Sequence, residues 1–174
     1  LGTTWTLAAG GAPVTGAIAH WELNETSGGL TADATGNGHV GTLVNFSGNP
    51  WGVAQHGGGL AFDGSNDYVD VAVGGALPVF DGSGAAYSIG LWVKGPPRDD
   101  DRVYSEGSSQ GNSPLLTLGT GRNSNGTTDR FQVFIRNDGG GVLLNQQTQT
   151  PVFDNTWHHV TWVDAGGMAS VYVD

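Results

Sequence analysis

Cysteine is absent from the 174 residues, so neither a disulfide nor a thiolate metal site is open to this chain. Lysine is nearly absent too: Lys94 stands alone, and Lys and Arg together number six against 16 acidic groups. The formal charge of −10 excludes nucleic acid as a partner, because phosphate binding needs cations to replace counterions. The same shortage excludes a basic patch for a membrane surface. No apolar run approaches the roughly 20 residues of a membrane span, so no membrane insertion is expected. Uninterrupted helical stretches are also missing. The longest segment free of Gly and Pro runs from Val152 to Ala165, and its Trp157, His159, Thr161, Val163 spacing has period two rather than 3.6.

What the chain does have is glycine, 31 of them, together with six Trp, four Tyr and six Phe. That much aromatic surface is out of place in a disordered chain and fits a β-protein with many tight turns. The length suits one domain, expected over residues 17–174. Residues 1–16 are small and uncharged, and read as a linker or an added edge strand. From Ala17 onward, short alternating runs are separated by Gly, Asn, Asp and Pro, with ten or eleven strands at sandwich spacing. Val69, Val71 and Val73 share one face, as do Tyr87, Ile89, Leu91 and Val93. Phe131, Val133 and Ile135 oppose Arg130, Gln132 and Arg136 in the same way. These patterns predict an all-β protein of two antiparallel sheets with those apolar faces buried.

Several fragments occur in a telling order. They are His20-Trp21-Glu22-Leu23-Asn24-Glu25, then Asp33-Ala-Thr-Gly-Asn-Gly38 and Gly59-Leu-Ala-Phe-Asp-Gly64 with Asp67-Tyr68-Val69. Tyr87-Ser-Ile-Gly-Leu-Trp-Val93, Trp157-His-His-Val160 and Val171-Tyr-Val-Asp174 follow. In this order they resemble the laminin-G-like, concanavalin A-like jelly rolls of bacterial extracellular proteins. The resemblance implies an extracellular or cell-surface location, a jelly-roll sandwich, and a structural calcium near the Asp33 turn. It also implies that a chain of this kind continues past a segment like residues 171–174 with a turn and two more strands. The sheet edge vacated at Asp174 is therefore expected to be filled by residues 1–16, by strand exchange with a neighbouring chain, or by residues outside this sequence. Thr3, Thr4, Trp5, Thr6 and Leu7 have the best strand propensity for that place.

Catalysis is not expected. Jelly-roll glycosidases need two carboxylates about 5–9.5 Å apart, hence acids at i and i+2 or i+4 on one strand. The three glutamates, Glu22, Glu25 and Glu106, form no such run, and no Gly-x-Ser-x-Gly elbow is present. Asp33, Asn37, Asp63, Asp67 and Asp174 are the candidate calcium ligands, since turn oxygens suit calcium. Asp and Asn are also the commonest turn formers, which is the competing reading. His158 and His159 point to opposite strand faces and so cannot chelate together easily. For sugar stacking the candidates are Trp51, Tyr104, Trp92 and Trp162, with Trp5 in addition. Trp51, beside Pro50 and Gly52, reads as a loop residue, while Trp92 and Trp162 lie opposite the main apolar set and compete with a core role. The expected function is a non-catalytic binding module for glycan or an extracellular protein, carbohydrate-binding or adhesive. A structural module of an extracellular assembly is the alternative, and a jelly-roll hydrolase or lyase comes third.

Overall fold

The computed structural model describes residues 4–6, 16–71, 86–107, 111, 113–122, 127–165 and 167–174. Among them every regular element is a strand and none is a helix, as the turn-rich, period-two sequence predicts. The first seven are β1 (Thr4–Thr6), β2 (Leu30–Thr31), β3 (Gly41–Val44), β4 (Trp51–Val53), β5 (Gly58–Leu60), β6 (Tyr68–Val71) and β7 (Tyr87–Lys94). The rest are β8 (Arg102–Gly107), β9 (Leu115–Thr120), β10 (Arg130–Arg136), β11 (Val142–Pro151), β12 (His158–Ala165) and β13 (Met168–Val173). They form antiparallel sheets, consistent with a concanavalin A-like jelly roll, and the described strands divide among four sheets. The chain separates into two compact units: Leu1–Val93 with Trp157–Asp174, and Lys94–Thr156.

The first unit holds a sheet in the order β1-β7-β12-β13, a three-stranded sheet β2-β3-β6 and the hairpin β4-β5. Leu91 and Val93 of β7 and Val160 and Trp162 of β12 are fully or almost fully buried. Their register is direct, with Val160 opposite Leu91 and Trp162 opposite Ile89. A second cluster joins Leu23, Trp51, Leu60 and Phe62, with Trp21, Leu43, Phe46 and Val69 packed against it. Val69 and Val71 are half-buried on β6, between exposed Tyr68 and Asp70, as alternation predicts. Val73 lies outside the described residues. Residues 4–6 do add an edge strand, but at the other edge from the one expected. β1 lies beside β7, and no described strand flanks the outer side of β13.

The second unit is a single sheet in the order β11-β10-β9-β8. One face is apolar and buried: Leu116, Leu118, Phe131 and Val133 are at most 2 % exposed. The opposite face carries Thr117, Gln132, Phe134 and Asn145, with Phe134 opposite both Thr117 and Asn145. That face is covered in places too, since Gln132 and Leu115 on it are 6 % and 4 % exposed.

Candidate functional site

The Asp33 turn is built entirely from local chemistry. The Asp33 Oδ1 accepts hydrogen bonds from the His20 amide at 3.0 Å, the Thr35 amide at 3.0 Å and the Thr35 hydroxyl at 2.7 Å. Its Oδ2 accepts from the His39 amide at 3.1 Å. Gly36 and Gly38, at φ +80° and +89°, bend the chain so that these amides converge. Burial pushes the Asp33 carboxyl upward, but the bonds from Thr35, His20 and His39 outweigh it and hold the pKa at about 2.

Three of these donors converge on Oδ1 and one reaches Oδ2, so the carboxylate already serves to tie the turn together. Asn37 donates from Nδ2 to the Ile18 carbonyl at 2.9 Å. Asp63 closes a separate turn on the Ser65 amide, and Asp67 accepts from the Asp63 amide. Asp174 lies just beyond β13, accepting from the His159 amide and pairing with His158 Nδ1 at 2.8 Å. Among the described residues no three acidic or histidine side chains come together in a way that could hold a metal ion. The four acidic candidates are therefore not gathered into one carboxylate cluster, and Asp33 acts as a turn clamp.

The aromatic candidates also separate. Trp51 is 8 % exposed, opens β4 and donates its indole N–H to the Gly28 carbonyl at 2.8 Å. Trp162 is 1 % exposed and donates to the Tyr87 hydroxyl at 3.2 Å. Both belong to the core, so neither offers a face for stacking, and Trp162 points with the main apolar set rather than against it. Tyr104 is half-buried on β8, its hydroxyl donating to Glu106 Oε2 at 3.0 Å. Burial raises the Glu106 carboxyl, and the Tyr104 bond offsets only part of that. Trp5 falls within β1.

Trp92, like Tyr104, is half-buried. It stands opposite His159 on the outward side of β7 and β12. His56 meets it edge-on at 4.9 Å between centroids, and His159 tilts against it at 5.2 Å. Gly90 and Thr161 sit beside it in register.

The site the sequence reading missed lies on β11. Between Arg130 and Gln132 the β10–β11 register slips, with Arg130 opposite Pro151 but Gln132 opposite Gln147. The extra length on β11 bulges outward. Thr148 holds the bulge, its hydroxyl accepting from the Phe131 amide at 3.1 Å and donating to the Thr150 carbonyl at 2.8 Å. Below it opens a cleft of about 360 Å³ lined by Thr127, Arg130, Asn145, Gln146, Gln147, Thr148 and Gln149. Gln132 Nε2 donates to Asn145 Oδ1 at 2.6 Å, which turns the Asn145 NH₂ outward. Gly121 makes room for the Gln147 amide, because any Cβ there would overlap Gln147 Nε2 and stand 2.5 Å from the Thr127 carbonyl. Arg130 is the one charged residue of the lining, and it leans on Asp129 at 3.5 Å. Amides and hydroxyls of this kind present donors and acceptors to a neutral, hydroxyl-rich ligand. The only signal in the sequence was the uncharged polar run from Asn145 to Thr150, which carries no aromatic or acidic residue to mark it.

The helix-free, antiparallel architecture of the described residues is that of an all-β domain consistent with a jelly-roll sandwich. The chain belongs to the concanavalin A-like lectin/glucanases superfamily, whose laminin-G family model matches residues 63–174. The match begins at Asp63, so the Asp33 turn and the fragments before it fall outside it. No curated protein and no solved structure matches the chain.

Proposed function

We propose that the chain is a non-catalytic extracellular module that binds glycan within a larger secreted or surface protein. The β11 cleft carries this reading: its seven lining residues include three glutamines, an asparagine and two threonines, and none of them is a carboxylate. A glycosidase needs an acid and a second carboxylate across the scissile bond. Glu106, whose carboxyl burial raises, is hydrogen-bonded by the Tyr104 hydroxyl.

The test is a glycan array probed with the 174-residue protein, followed by titration of the best ligand. Replacing Asn145 and Gln149 together by Ala removes two amides. At about 1 kcal/mol each for a net hydrogen bond, the affinity should fall roughly tenfold or more. Binding should be equal in calcium and in EDTA. Release of shortened sugar from a bound glycan would overturn the non-catalytic reading. Absence of binding to any glycan, or an unchanged affinity in the double variant, would remove the cleft from the account.

A further inference from the structure

We propose that the outward face of β7, β12 and β13 is a second glycan-binding site, in which Trp92 stacks on one sugar ring. It shares no residue with the β11 cleft and does not depend on binding there.

Pairing across the three strands arranges this face in rows. Trp92 stands opposite His159, Gly90 opposite Thr161 and Ser88 opposite Val163. β13 extends two of the rows, with Tyr172 opposite Thr161 and Ser170 opposite Val163. Glycine in the middle row leaves β7 with no side chain between Trp92 and Ser88, a gap of roughly 13 Å at about 3.3 Å per residue. A Cβ added at Gly90 would stand 3.7 Å from both His159 Nε2 and Thr161 Oγ1. Both polar atoms therefore border the hollow, and neither has a hydrogen-bond partner among the described residues.

Trp92 closes one end of the hollow. His56 meets its half-buried ring edge-on at 4.9 Å, and His159 tilts against it at 5.2 Å. An indole held on two sides loses little side-chain entropy when a ligand stacks on it. Core packing does not account for its place, because the core side of these strands is filled by Leu91, Val93, Val160 and Trp162 on the other parity. Tyr172, 62 % exposed, stands at the end of the middle row.

The class of ligand follows from what the rows carry. Indole and phenol rings offer apolar faces, and a hydroxyl and an imidazole nitrogen offer hydrogen bonds beside them. A pyranose has the matching character, with C–H groups on its faces and hydroxyls round its rim. No carboxylate, Lys or Arg stands in the three paired rows, so nothing in them selects a charged ligand. Asp174, beside His159, is bonded to the His159 amide and to His158 Nδ1.

Proton–nitrogen NMR spectra of the full chain report the two sites separately. The probes are the methyl glycosides of glucose, galactose, mannose and N-acetylglucosamine, titrated one at a time. At least one should shift the Trp92 indole and His159 ring signals saturably. Read on the His159 signals, Trp92→Ala should weaken that probe about thirtyfold, as at a binding hot spot. Thr161→Val should weaken it about fivefold, the loss of one net hydrogen bond. Gly90→Val fills the hollow while leaving Trp92 in place. Its Cβ has ordinary clearance, so the variant should keep a wild-type circular dichroism spectrum and lose the site. Saturable Trp92 shifts that persist in the Asn145→Ala/Gln149→Ala variant support the proposal even where the cleft binds nothing. A Trp92 signal that none of the probes moves overturns it, and so do shifts confined to the β11 side-chain amides. Undiminished binding in folded Gly90→Val overturns it as well.

Discussion

Trp162→Ala is expected to destabilise the protein by about 4 kcal/mol, near the middle of the range for removing a buried large aromatic side chain. The side chain is 1 % exposed and lies between Ile89 and Val171 of the flanking strands. Truncation therefore leaves a cavity that two paired strands cannot collapse, and removes the indole N–H that donates to the Tyr87 hydroxyl. For a chain of this length the melting temperature should fall by roughly 8–16 °C. Trp92→Ala is the matched control. Its ring is half-buried and touches two histidines rather than the apolar core, so about 1 kcal/mol is expected, within the ordinary range for point changes. Thermal melts of both variants decide the matter: equal losses would mean that the two faces of β7 and β12 have been assigned the wrong way round.

That contrast also marks where the sequence stops being readable. Alternation along Tyr87–Val93 named the buried face of β7 correctly, because one parity was plainly more apolar than the other. β12 offered no such asymmetry. Val160 and Trp162 lie on one parity, and Trp157, His159, Thr161 and Val163 on the other, so a period of two fits either choice. The partner strand breaks the tie by placing Val160 against Leu91 and Trp162 against Ile89, and that pairing spans about seventy residues of chain. Trp51 failed for a related reason. Between Pro50 and Gly52 it reads as a loop tip, yet its indole is held by Gly28, 23 residues away. The β11 cleft was illegible because it arises from a register slip between strands rather than from any residue type. The turn at Asp33, in contrast, was plain, since Asp, Gly and Gly at short spacing specify a bend wherever they stand. Its hydrogen bonding was not legible: the sequence shows an oxygen donor in a turn, but not that the amides of His20, Thr35 and His39 and the Thr35 hydroxyl converge on it.

Asp33→Ala is accordingly expected to cost about 3 kcal/mol, and to cost the same in calcium and in EDTA. Four donors lose their acceptor at once, and hydrogen bonds to a charged group contribute about 1.5–3 kcal/mol each before non-additivity and exposure reduce the sum. Part of that stability depends on pH, and its sign is fixed. The folded pKa of about 2 lies below the ordinary 3.8, so the contribution is complete above 3.8 and disappears as pH falls through 2. Full conversion at 1.36 kcal/mol per pH unit would give more than 2 kcal/mol. Solvent screening of this largely accessible carboxylate brings it to about 1 kcal/mol. Asp174, where burial is outweighed by bonds from His158 and His159 and by their charge, weakens the fold at low pH in the same direction. Asp101 and Glu106, raised mainly by burial, act in the opposite sense, since they are easier to keep buried once protonated. Denaturant unfolding of wild type and Asp33→Ala at pH 7, 4 and 2 therefore separates the parts. The difference between the two proteins should narrow by about 1 kcal/mol between pH 4 and pH 2. A gap that stays constant across that window would show that Asp33 is not held ionised by its amides. A gap present in calcium and absent in EDTA would restore the metal site that the hydrogen bonds argue against.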